Sequence, residues 1–487
     1  MIFFFSGRSR CFSVGEKIIF SESGKLSPSR KKSKTDEMVF RGFVRITSLG
    51  CAKNFVDTEV VCASFLCNGF ALTDQDDEAD IQFVNTCGFL QEARDEARSV
   101  LDELKSWKNA RKGRILLVGG CFVERAAPEE LAEYDFVDSF MRIDSIEEAG
   151  QIAAALMDQQ KVKIKPLPER PCYLYDHTTP RVQLTPSHYA YIKIADGCDN
   201  CCAYCLIPSI RGSLRSRSVE SVVKEAQSFV DSGVRELILI AQDTGGFRRD
   251  KEGKASLSGL LRKLDALKGD YLLRVMYVHP ASVDDELLKV LKESVHVVRC
   301  LEMPIQHIAD NVLKRMGRKV YGARTREVVR AVMDCGYAVR TTLMTGFPGE
   351  SEKDFEELLS YVKETQFERL GVFAYSAEEG TAAAVMEDQV DPAVGAKRRD
   401  LLLREQRKIS LKHNKALIGQ DVDVLVDGVE KKGFAYGRTL LDAPDIDNLV
   451  NIRFKGSLQA GDVIRCHVES VSEYELNVVY SQKKGKK

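Results

Sequence analysis

The apolar positions along the chain fall into three zones with different periods. Between residues 41 and 160, short apolar runs alternate with helical repeats. VRITSLG (44–50), DIQFVNTCG (80–88) and RILLVGGC (114–121) read as strands running into Gly-containing turns. Residues 54–69 and 90–107 carry the spacing of amphipathic helices. This alternation predicts a small α/β domain on a parallel sheet, where sites form at strand ends. Residues 161–188 hold five of the 13 Pro and little periodicity, which reads as a linker. Six strand patterns follow, at 189–196, 235–242, 272–279, 300–305, 338–346 and 369–375, with helical patterns such as VESVVKEAQSFVDSG and TREVVRAVMDCG between them. They predict a TIM-like partial (βα)6 barrel over residues 189–418, with a doubly wound open sheet as the competitor. A long charged helix at about 392–415 closes this zone. Five short strand patterns over 419–482 predict a small antiparallel β-barrel.

Composition narrows the class. Apolar residues are 44% and charged residues 29% of 487, ordinary for a globular chain. Lys+Arg is 71 against Asp+Glu 72, so the chain is not a globally basic nucleic-acid binder. No run is long enough to span a membrane. Residues 1–40 read as an N-terminal arm with three readings open: a transit peptide, a disordered segment, or a misassigned start with Met38 as the true first residue. The third is the expectation. Fourteen Cys without a secretory signal point to reduced thiols in the cytoplasm. Cys11, Cys62, Cys67, Cys172, Cys300, Cys335 and Cys466 read as small buried hydrophobes.

The strongest chemical signal is GCDNCCAYCLIP, residues 197–208. Cys198, Cys202 and Cys205 stand in C-x3-C-x2-C spacing directly after the first strand of the second zone. Three soft thiolates so close together suit zinc or an iron–sulfur cluster. Zinc would need a fourth ligand, and neither His188 nor His279 has a paired-ligand spacing. Cys201 falls outside the pattern. A second set, Cys51, Cys87 and Cys121, is spread at intervals of 36 and 34 residues, each Cys with a neighbouring Gly. Two readings stay open on the residues alone: three core cysteines, or three ligands whose glycines let the backbone approach a bulky inorganic group.

The C-x3-C-x2-C motif with Tyr204 before its last Cys resembles the radical S-adenosylmethionine enzymes. That resemblance implies a 4Fe–4S cluster on Cys198, Cys202 and Cys205, with an open iron that chelates S-adenosylmethionine for reductive cleavage to a 5′-deoxyadenosyl radical. The contexts SLGCAKN, VNTCGF and VGGC resemble the N-terminal domain of the methylthiotransferases. This implies an auxiliary 4Fe–4S cluster on Cys51, Cys87 and Cys121 that handles the inserted sulfur. LGCAKNFVDTE, NTCGFLQEA, CLIPSIRGSLRSR, MPIQHIADNVLKRMGR and GVFAYSAEEGTAA are similar to the RimO-type branch, which modifies an aspartate of the twelfth small-subunit ribosomal protein. The MiaB-type branch, which modifies an adenosine beside the tRNA anticodon, is the alternative. It typically has Gln-Met where this chain has Ala52-Lys53. The last zone resembles a TRAM domain. The resemblance implies an enzyme with a methylthiotransferase domain at 41–160, a radical S-adenosylmethionine domain at 189–418 and a TRAM-like domain at 419–482. It also implies an electron donor and a sulfur donor.

Charge bears on the partner. Residues 417–480 hold six Lys/Arg and eleven Asp/Glu, net −5. Phosphate binding needs positive surface, so tRNA is not the expected partner and a basic ribosomal protein is. Asp442, Asp445 and Asp447 stand in one segment, read either as a docking loop for that partner or as a solvated turn. Other motifs carry two readings each. Gly346 and Gly349 of GFPGE either let the backbone approach S-adenosylmethionine or form a turn before a helix capped by Ser351. Gln242 and Asp243, at a strand end, are candidate cofactor contacts. Arg211, Arg215 and Arg217 either clamp a carboxylate or cap the surface. His307 reads as a satisfied barrel-end histidine.

Overall fold

The structure is a computed structural model. It describes residues 40–160, 170–254, 256–431 and 433–481, with the backbone of Arg10–Cys11. The expected N-terminal arm lies outside the described residues, apart from Phe40 and from Arg10–Cys11, which pair antiparallel with the first long strand. The chain forms two compact units. One comprises the described residues up to Leu184 with Ser209–Gly212; the other comprises Thr185–Pro208 and the chain from Ser213 onward.

In the first unit, β1 (Gly42–Ser48), β2 (Phe70–Leu72), β3 (Ile81–Thr86), β4 (Ile115–Gly120) and β5 (Ser139–Met141) form a parallel sheet in the order β2-β1-β3-β4-β5. Every residue of β3 and β4 is buried, which explains the apolar run of β4, while β3 also buries Gln82, Asn85 and Thr86. Helix α1 (Ala52–Cys67) follows β1, and α2 (Gln91–Ala110) follows β3. Helix α2 buries Ala93, Ala97, Leu101 and Trp107, the stripe its sequence spacing predicts.

In the second unit, β6 (Tyr189–Lys193), β7 (Glu236–Ile240), β8 (Leu272–Val275), β9 (Val297–Glu302), β10 (Ala338–Thr345) and β11 (Arg369–Ala374) pair in parallel in sequence order. A doubly wound sheet reverses its strand order part-way. Here every crossover steps the same way, so right-handed connections put all helices on one face and curl the sheet into a part-barrel. Helix α3 (Pro392–Ala416) packs along β11.

The last five strands, β12 (Asp421–Lys431), β13 (Phe434–Thr439), β14 (Leu449–Lys455), β15 (Val463–Val471) and β16 (Glu475–Ser481), close into a barrel in the order β12-β13-β14-β16-β15. All neighbours are antiparallel except β14 and β16. A closed ring of five strands cannot alternate direction throughout, so one parallel pair is unavoidable.

This barrel is fastened to the strand starts of the part-barrel by buried ion pairs. Arg369, the first residue of β11, reaches Asp442 at 2.6 Å, and Arg340 on β10 reaches both Glu302 and Asp447 at 3.0 Å. Glu236 opens β7 and lies between Arg274 (2.7 Å) and Arg438 (2.6 Å). Tyr189 donates to Asp445 at 3.2 Å. The docking-loop reading of Asp442 and Asp447 is thereby corrected. Both carboxylates are buried against arginines of their own chain, so the net charge of the segment overstates the negative surface it offers.

Candidate functional site

The Cys198 loop leaves the C-terminal end of β6, opposite the ion-paired end. Just before it, Lys193 and Asp196 form a fully buried pair at 2.7 Å, and the Gly197 amide donates to Asp196 Oδ1 at 2.9 Å. Gly197 has φ +74°, the left-handed turn that starts the loop. Within it the Asn200 amide donates to Cys198 Sγ and the Ile207 amide to Cys205 Sγ, each at 3.4 Å. Arg318 Nη1 approaches Cys202 Sγ at 3.8 Å and its Nη2 donates to the Pro304 carbonyl at 2.8 Å. Tyr204 turns inward, edge-on to Phe347 at 6.3 Å, in an apolar cluster with Val312, Met316 and Met344. Cys201 is exposed.

Burial pushes the Cys198 thiol up to about 11 and the Cys205 thiol up to about 12, and the neighbouring sulfurs add to both shifts. Thiols raised this way ionise only where a cation offsets their charge. Among the described residues, no group of three or more His, Cys, Asp or Glu side chains is placed to hold a single metal ion. A 4Fe–4S cluster places its thiolates on separate irons, and it fits an inward-facing loop with amide N–H···S bonds.

Gln242 and Asp243 lie beside this loop. Asp243 accepts from Asn200 Nδ2 at 2.8 Å and from the His279 amide at 3.3 Å. Gln242 Nε2 donates to Asp196 at 2.8 Å, and its Oε1 is buried with no hydrogen-bond partner among the described residues. An orphaned acceptor beside the cysteine loop is what a bound ligand with donor groups would satisfy. Gly346 and Gly349 have φ of +73° and +80°. A Cβ on Gly346 would meet Gly395 Cα of α3 at 2.7 Å, and one on Gly349 would meet Arg315 Nε at 2.5 Å. The Gly346 and Phe347 amides both donate to Glu350. Packing and turn geometry already require these glycines. Ser351 caps the next helix, with Asp354 completing a capping box. His307 is fully buried, and its Nδ1 accepts from the Ala309 amide at 3.1 Å.

The other three cysteines meet at the C-terminal ends of β1, β3 and β4. Cys51 is the N-cap residue of α1, Cys87 follows β3, and Cys121 follows β4. Their glycines serve the approach of one turn to another. A Cβ on Gly50 would lie 2.8 Å from Cys87 Cβ, and one on Gly88 would lie 2.7 Å from the Cys121 carbonyl oxygen. Asn54 Nδ2 bridges the Leu49 carbonyl (2.7 Å) and the Thr86 carbonyl (3.3 Å), tying the first two turns together. Burial, then the charges of Cys121 and Cys51, push the Cys87 thiol well up. The Cys121 thiol rises to about 11, because burial outweighs the pull of Arg211. A three-thiol set at one strand edge has the donor chemistry for a second cluster.

Sequence reasoning missed several residues here. Arg211 is not a carboxylate clamp at a substrate surface: it is buried and bonded to Cys121, Asp57 and Asn54. Arg217 pairs with Glu225 and Ser221. Arg215 is part-exposed and donates to the Ser213 carbonyl. Asn200 stands inside the cysteine motif and Arg318 ends MPIQHIADNVLKRMGR, but nothing in the sequence tied Arg318 to Cys202, 116 residues upstream.

Three family descriptions match this chain: Radical SAM superfamily over residues 192–362, Uncharacterized protein family UPF0004 over 43–142, and TRAM domain over 418–479. It is 40% identical over 440 residues to the ribosomal protein uS12 methylthiotransferase RimO of Geotalea uraniireducens, covering 89% of this chain and 97% of that one. The chain belongs to the RimO family. The RimO proteins of Trichlorobacter lovleyi and Geobacter sulfurreducens are also 40% identical, over 437 residues, with the same coverage. Among solved structures, the radical S-adenosylmethionine methyltransferase TsrM of Kitasatospora setae has a TM-score of 0.51 at 15% identity, over 68% of this chain and 73% of that one; it bears on the fold alone. Membership of the radical SAM superfamily implies a 4Fe–4S cluster and S-adenosylmethionine for this RimO family member. Among the described residues no helix is long and apolar enough to cross a membrane.

Proposed function

We propose that this protein is a cytoplasmic radical S-adenosylmethionine methylthiotransferase that adds a methylthio group to the β-carbon of an aspartate of ribosomal protein uS12. The observation that carries this is the identity with uS12 methylthiotransferases over 89% of the chain. In this reading, residues 41–160 form the methylthiotransferase domain, 189–418 the radical domain and 419–482 the TRAM domain, with 161–188 as the linker. Cys198, Cys202 and Cys205 hold one 4Fe–4S cluster, and Cys51, Cys87 and Cys121 hold the auxiliary one. When bound, the two clusters supply the electron for S-adenosylmethionine cleavage and the site for sulfur, and external electron and sulfur donors sustain them.

The chain's own residues do geometric work. Asn200 and Asp243 pin the cysteine loop to the end of β7. Gln242 offers its unpartnered Oε1 to the cofactor. Tyr204 and Phe347 wall one side of the loop with apolar surface, which helps to keep water out. Gly346 and Gly349 shape the turn that borders it.

The test is reconstitution. Iron-loaded protein given S-adenosylmethionine, a low-potential reductant, sulfide and uS12 should form 5′-deoxyadenosine and methylthiolated uS12. Methylthiolation of tRNA with uS12 left untouched would overturn the assignment.

A further inference from the structure

Arg211 stands six residues after Cys205 in sequence, yet Ser209–Gly212 belong to the compact unit that carries Cys51, Cys87 and Cys121. The residue is 1% exposed. Nε donates to Cys121 Sγ at 3.3 Å and Nη2 to the same sulfur at 3.2 Å. Nη1 holds Asp57 Oδ2 at 2.6 Å, and Nη2 also reaches Asn54 Oδ1 at 3.1 Å. A buried arginine paired only with an aspartate would be a structural ion pair. Here two of its N–H groups form a fork on one sulfur, while Asp57 and Asn54 fix the plane of that fork.

We propose that Arg211 is a positioning residue for the auxiliary cluster: it holds the Cys121 thiolate in place and raises the cluster's reduction potential. The proposal rests on the reading that Cys51, Cys87 and Cys121 bind that cluster. A cation donating hydrogen bonds to a ligand sulfur stabilises the extra negative charge of the reduced state more than that of the oxidised state. Asp57, the anionic partner behind it, offsets part of this charge. The two side chains therefore act in opposite directions on the potential, which a purely structural role would not produce.

The experiment uses the full chain with Cys198, Cys202 and Cys205 all changed to Ala, so that only the auxiliary site takes iron. Each variant is reconstituted anaerobically and titrated by electron paramagnetic resonance at set potentials. Relative to this parent, Arg211→Gln should move the midpoint downward, Arg211→Lys should move it less, and Asp57→Asn should move it upward. A parent that takes up no iron refutes the cluster reading itself. An iron-loaded Arg211→Gln protein with an unmoved midpoint overturns the proposal while leaving that reading intact. If Arg211→Gln alone cannot hold iron, the Lys and Asn variants decide by the sign of their shifts. Loss of iron from all three would reduce Arg211 to a structural support and would also overturn the proposal.

Discussion

Asp442 Oδ1 lies 2.6 Å from Arg369 Nε, with the carboxylate fully buried where the small barrel meets the start of β11. Thr439 Oγ1 donates to the other oxygen at 2.5 Å, so both sides of the carboxylate are used. This pair decides how the acidic segment acts: it fastens one part of the chain to another.

Asp442→Asn should therefore destabilise the protein by about 3–5 kcal/mol, the range for breaking a buried pair and stranding its arginine. Asp445→Asn, at an exposed position, should cost less than about 1 kcal/mol. Calorimetry of the two variants checks the contrast. Equal midpoints would contradict the fastening role.

Acid should loosen the same junction. Burial alone would raise the Glu236 carboxyl, but Arg274 and Arg438 outweigh it and hold the group below its ordinary value. Asp447 is held low in the same way, chiefly by Arg340 against burial. A carboxyl lowered by folding stabilises fully above its unfolded pKa, about 4, and loses that contribution as pH falls through the folded value. The Glu236→Gln variant should be less stable at neutral pH and lose less further stability between about pH 5 and 2. Parallel stability profiles for variant and parent would contradict this.

Gly88→Ala should empty one site and spare the other. Its Cβ would lie 2.7 Å from backbone atoms of Cys121 and Phe122, which cannot yield without parting two of the three turns. Iron should fall from about eight toward about four per chain. S-adenosylmethionine cleavage should persist. Unchanged iron content would show that the three turns do not share a cluster.

Triple replacement of each cysteine set by Ala should likewise leave about four irons per chain. Cleavage of S-adenosylmethionine should vanish only when Cys198, Cys202 and Cys205 are replaced. Tight zinc in place of iron would refute both assignments.

Much of this fold was legible because its strands are buried on both faces. Apolar runs marked β4 and β7; β3 and β10 were readable despite interspersed polar residues, and the bounds of all four fall within a few residues of the reading. The third barrel strand was read too long. The apolar run continues to Val278, but Tyr277 has φ +65°, so the chain has left the ladder after Val275. The fourth was read too late, since β9 begins at Val297. The reading placed Glu302 inside the strand, where Arg340 pairs with it at 3.0 Å.

Charge and reach were the illegible parts. A count of carboxylates cannot separate solvated groups from paired ones, and the arginines that bury Asp442 and Asp447 lie 73 and 107 residues away. Arg211 was left between a carboxylate clamp and a surface cap because its partner sulfur is 90 residues upstream. The two cysteine sets could be singled out because their spacing, or the glycine beside each, is itself local.

The account stands most directly on what the protein modifies. Mass spectrometry of ribosomal protein uS12 and of digested tRNA, from cells with and without the gene for this chain, measures that. The account predicts one uS12 aspartate carrying a methylthio group only when the gene is present, with tRNA methylthioadenosine unchanged. An unmodified uS12 in both strains, or a methylthio group lost from tRNA alone, would contradict it.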